Sequence, residues 1–141
     1  MSRELLSGVG GRLEIELSEP PERITPTLVN ERATPTATIL SVHLDAYVFE
    51  DGDLRPLRDE ELSRVELKRP TVTLRSHGGA VVHHAQNGRS FTVSELLAAI
   101  VKTERKTRAE STWFKGVDVH HVFFQGIHKV EEGVFDINWG S

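Results

Sequence analysis

Cysteine is absent from all 141 residues, which excludes disulfides, thiolate nucleophiles and cysteine-ligated zinc and restricts any metal site to histidine, aspartate and glutamate. Long apolar runs are lacking too. Nothing approaches the roughly 18 consecutive apolar residues of a membrane span, and Met1 to Gly11 has neither the basic start nor the apolar middle of a secretory signal. The expectation is a soluble, cytoplasmic chain of one domain, 1–141, with no membrane partner. A large excess of charge of one sign is lacking as well. Residues 1–60 carry 6 basic and 12 acidic groups and residues 61–141 carry 11 and 9, so −6 and +2 sum to the net −4. Nucleic-acid binding needs clustered cations, and the only cluster is Lys102 to Arg108, where cations complement a helix end; nucleic acid is therefore not an expected partner.

Motifs for common chemistries are missing. Gly8-Val9-Gly10-Gly11 puts Leu13 where a dinucleotide loop needs its third glycine, and there is no P-loop, His-Glu-x-x-His or EF-hand loop. His77-Gly78-Gly79 has the composition of an esterase oxyanion loop, but no Gly-x-Ser-x-Gly accompanies it and the chain is too short for that fold.

What is present is a strongly signalled helix over 92–108 followed by a strand over 117–124. Thr92 and Glu95 have capping-box spacing, Phe91 and Leu96 that of a hydrophobic staple, and Val93, Leu96, Leu97, Ile100 and Val101 form one apolar stripe. Ala98, Lys102, Arg105 and Lys106 lie opposite. Val117 to Phe124, between Gly116 and Gly126, is β-branched and aromatic; Val117, Val119, His121 and Phe123 are expected beneath the helix, with Asp118, His120, Val122 and Phe124 on the far face.

Leu13, Ile15 and Leu17 alternate with polar residues as in a half-buried strand, and the four prolines from Pro20 to Pro35 predict an irregular arm over 18–35. Thr36 to Phe49 reads as a long strand with an apolar even face from Thr38 to Val48. A turn at Glu50 to Asp53 leads into an acidic, proline-containing loop over 54–61 with one helical turn before Leu62, then a short strand at Val65 and Leu67. Thr71 to Arg75 and Ala80 to His84 flank a glycine-containing reversal, Asn87-Gly88 turns the chain into the helix, and a last hairpin ends in Val134 to Trp139. The order predicts an α+β domain, an antiparallel sheet with one amphipathic helix on one face.

Two surfaces are candidates. His43 and Asp45 share one strand face, as do Asp118 and His120; were those strands neighbours, two imidazoles and two carboxylates could bind zinc or a similar divalent metal, or act as a carboxylate-oriented base in a small enzyme. The ordinary alternative is a solvated polar face. The second candidate is the mixed far face of the last hairpin, with Val122, Phe124, Val134 and Asp136, together with Trp113 and Phe114 between helix and strand. One helix covers one side, so that face is expected to meet the arm, a second copy in a homodimer, or a protein or small ligand. The leading expectation is a non-enzymatic binding domain without cofactor.

Arg32-Ala33-Thr34-Pro35 leading into a strand, then Ser90 to Ile100, resembles a small domain widespread in mushroom-forming fungi, with its Ala-Thr-x-Pro strand start and Thr-Val-x-Asp-Val/Leu-Leu-x-Ala-Ile helix. The likeness spans residues 30 to 110, with Glu95 where the pattern has Asp. It implies a fungal-type intracellular protein and supplies no catalytic residues.

Overall fold

The computed structural model of the chain describes residues 4–6, 8–18, 39–110, 119 and 121–141. In chain order the elements are β1 (Glu4–Leu5), β2 (Val9–Leu17), β3 (Ile39–Glu50), β4 (Asp53–Pro56), α1 (Asp59–Leu62), β5 (Val65–Leu67), β6 (Thr71–Ser76), β7 (Gly79–His84), β8 (Phe91–Thr92), α2 (Val93–Glu110), β9 (Phe123–Glu131) and β10 (Val134–Gly140). The main sheet runs β4-β3-β2-β9-β10-β6-β7 with β1 paired to β9, and β5 pairs β8 separately. The expected α+β class holds, but the sheet is mixed: β10 lies parallel to β6, while its other pairings are antiparallel. The reason is α2. As β7 opposes β6 and β9 opposes β10, β7 and β9 point the same way, and a parallel return requires a long crossover, which the helix provides.

The capping box forms as its spacing predicts: Glu95 N–H donates to Thr92 Oγ1 at 3.2 Å and Thr92 N–H to Glu95 Oε1 at 3.1 Å. Phe91, Val93, Leu96 and Ile100 are buried with Leu13, Val72, Leu74, Ile127 and Phe135 in one core, and Leu97 and Val101 pack at its margin. In the stretch expected as an acidic loop over 54–61, the helical turn anticipated before Leu62 is α1, whereas β4 was not expected. Asp51 and Gly52, both at positive φ, make a tight hairpin turn that lays β4 along β3. The proline-rich arm, apart from Ser18, lies outside the described residues. No described helix is long and apolar enough to cross a membrane.

Two bulges overturn face assignments made by strict alternation. In β3, Leu17 pairs with Ile39 and Glu16 with Ser41, so Leu40 is the extra residue; Ile39 is buried and Leu40 is 51% exposed, although the even face resumes inward at Val42 and Leu44. In β9, Trp139 pairs with Phe124 but Ile137 with Ile127, leaving Gln125 and Gly126 opposite Asn138. Gly126 has φ +97 and carries the bulge. The strand therefore does not stop at Gly126 but runs through it from Phe123.

Because cross-strand partners share a face, Phe124 points with Trp139 into the core, while Phe123 and Val119 are 43% and 41% exposed. The expectation that Phe123 and Val119 lie beneath the helix and Phe124 outside is thus reversed. Phe124 is only 4% exposed and cannot belong to a binding surface.

Candidate functional site

The β6–β7 hairpin closes through His77 and Gly78, both at positive φ, as a two-residue turn joining paired Ser76 and Gly79. From that closing pair the ladder alternates. Gly79, Val81 and His83 direct their backbone N–H and C=O to β6, in line with the next odd residue, Ala85, whose N–H donates to the Pro70 carbonyl at 2.9 Å. Ala80, Val82 and His84 consequently turn theirs outward. β7 ends the sheet, and among the described residues no strand pairs with that outer side.

Beside this edge runs α2, antiparallel to β7. Gln86 N–H donates to Glu95 Oε2 at 3.3 Å, His83 meets Thr103, and a Cβ on Gly79 would stand 3.0 Å from Thr107 Cγ2, so the absence of a side chain there lets the hairpin close onto the helix. Between them lies a groove of about 600 Å³, walled by Val81 to His84, Gln86 and Phe91 on one side and by Ser94, Glu95, Ala98, Ala99, Lys102 and Lys106 on the other.

The polar groups of the groove have defined states. Thr103 Oγ1 donates its single hydrogen to the Ala99 carbonyl at 2.8 Å, so the 2.7 Å contact with His83 Nε2 requires the histidine to be the donor. Burial, then the charges of Lys102 and His84, hold the His83 pKa below its ordinary value, leaving a neutral ring. Glu95 sits below the usual carboxylate range, chiefly through the Thr92 amide and further through that of Gln86. Lys102 makes no ion pair among the described residues, and Lys106 pairs with Glu110 at 3.0 Å with both side chains more than half exposed.

At the turn end the helix carries a buried charge pair. Arg108 Nε donates to Glu104 Oε1 at 2.7 Å, both side chains fully buried, Arg108 Nη2 donates to the His121 carbonyl, and the guanidinium carbon stands 5.1 Å from the Trp139 ring centroid. Arg108 is therefore not the solvated helix-end cation that its position suggests. Ser76 Oγ and Glu104 Oε1 approach His77 Nδ1 at 2.9 and 3.4 Å. A serine-histidine-carboxylate relay needs its serine and carboxylate on opposite ring nitrogens. Here both address one, so the group anchors the hairpin to the helix.

His43 and Asp45 are exposed on β3, opposite Glu14 and Arg12, and β2 separates β3 from β9. Asp118, His120, Trp113 and Phe114 lie outside the described residues. Among the described residues no group of three or more His, Asp and Glu side chains could hold a metal. Val122 is half-buried against the core, Val134 is half-buried, and Asp136 accepts a bidentate pair from Arg75 at 2.6 and 3.1 Å across the parallel strands. The edge formed by Ala80, Val82 and His84 was not singled out by sequence reasoning, because an edge is a property of strand order; Thr103 and Thr107, four apart on the helix, were the available sign of a polar seam. Compared with protein-family models, curated proteins and solved structures, the chain matches none.

Proposed function

We propose that this chain is a non-enzymatic interaction domain that binds an extended peptide segment by strand addition to β7. The observation that carries this reading is the row of outward-facing backbone groups at Ala80, Val82 and His84 beside a preformed groove against α2. Main-chain hydrogen bonds then supply affinity, and the pockets beneath alternate side chains supply selectivity. Amide hydrogen exchange during titration with synthetic peptides blocked at both ends tests it. Exchange at Ala80, Val82 and His84 slows on binding, and Val82→Pro, which deletes an outward N–H at an edge position the fold tolerates, abolishes the effect. The same peptides N-methylated at alternate residues fail to bind unaltered protein. Protection elsewhere, or none, overturns the reading.

A second contact is favoured by the open sheet face, where the cross-strand pair Phe49 and Leu54 is 69% and 58% exposed and Phe123 lies farther along the same face. Self-association of the domain into a homodimer through this face predicts concentration-dependent sedimentation that Phe49→Ser with Leu54→Ser removes.

A further inference from the structure

The spacing of the groove wall carries an inference about the partner, and it rests on the strand-addition reading. Ser94, Ala98, Lys102 and Lys106 recur every fourth residue and all line the groove. Four helical residues rise about 6 Å, and two strand residues advance about 6.7 Å. A strand laid along β7 therefore presents one helix-side side chain to each successive turn of α2. The remaining side chains join Ala80, Val82 and His84 on the open face.

We propose that the partner is an extended peptide with acidic residues at alternate positions, Glu-x-Glu or Asp-x-Asp, whose two carboxylates meet Lys102 and Lys106, with a small or apolar residue two positions away over Ala98. Lys102 is unpaired among the described residues, and the exposed Lys106–Glu110 contact is of the weak, exchangeable kind. At the far end of the groove the one carboxylate of the lining among the described residues, Glu95, already accepts from the Thr92 and Gln86 amides and so offers a weak anchor to a cationic segment. In the antiparallel sense the acidic pair lies at the peptide's C-terminal side, because Lys106 stands beside Gly79, where β7 begins, and Glu95 beside Gln86, just past its end. A second copy of this chain fits less well. A two-fold axis at Val82 would bring Lys102 towards its own symmetry mate, a like-charge approach that the acidic peptide converts into attraction.

The test uses three blocked nonapeptides of alternating threonine and a varied residue, with glutamate, glutamine or lysine at two consecutive varied positions, titrated into the full chain and into Lys102→Glu/Lys106→Glu. The expected result is binding of the glutamate peptide about tenfold tighter than the glutamine peptide, weakening with salt, and reversal of the preference towards lysine in the double variant. Equal binding of the three peptides, still lost on N-methylation, overturns the acidic partner and leaves strand addition standing. Binding of none, or binding indifferent to N-methylation, overturns both, as does sedimentation as a dimer that Val82→Pro converts to monomer.

Discussion

Arg108 and Glu104 illustrate how a side chain's environment outweighs its type. At the end of an amphipathic helix an arginine is ordinarily solvated, yet this pair is wholly buried, held by a 2.7 Å bond, the His121 carbonyl and the Trp139 ring. Removing one partner strands the other charge: Arg108→Ala should cost about 3–5 kcal/mol, whereas replacing both by apolar residues of similar volume should cost far less, which urea unfolding of the single and double variants would distinguish. Since His121 contributes its carbonyl, His121→Ala, about 1–3 kcal/mol if its half-buried ring were core, should fall at the low end of that range. His83 sets a pH dependence. Its folded pKa lies below 6.5, so the unfolded chain takes up a proton first as pH falls. The His83 contribution to stability is present above about pH 6.5 and is lost as pH falls through the depressed folded value; His83→Gln should flatten this part of the acid limb in urea midpoints followed from about pH 5 to about pH 8.

Elements are set by local chemistry as far as their ends and by pairing as regards their faces. The α2 start is local: Thr92→Ala should cost about 1 kcal/mol and Thr92→Ser should restore most of it, read by chemical denaturation. The β9 bulge is not local. Gly126 carries it at φ +97 with nothing within 4 Å of an added Cβ, so the cost of Gly126→Val is backbone strain rather than a clash, about 1–2 kcal/mol. A Gly126→Val variant as stable as the parent would show that the bulge does not depend on glycine.

At the scale of the molecule, the sheet joins distant parts of the chain. The parallel pairing of β6 with β10 brings together Arg75 and Asp136, 61 residues apart, and can form only after α2 has carried the chain across. Loop closure is thus paid before those contacts are gained, and folding should fall in the millisecond-to-second range typical of non-local topologies; a microsecond refolding phase carrying full amplitude in stopped-flow or temperature-jump work would contradict it. The same strand order leaves β7 at the edge among the described residues, which is the ground of the proposed binding row.

Taken alone, the sequence determined what depends on near neighbours: the capped helix, the alternating β2, the His77-Gly78 reversal and the α+β class all follow from hydrogen bonds and side-chain periods spanning a few residues. It did not determine that the sheet is mixed, that Phe124 faces inward, that Leu40 faces outward or that Arg108 is buried. Those depend on which strands lie side by side and where a bulge changes the alternation, and strand order is decided by the packing of α2 over the whole sheet. The β7 edge belongs to this second class, since a backbone row without a strand partner among the described residues exists only once every other strand has taken its neighbour.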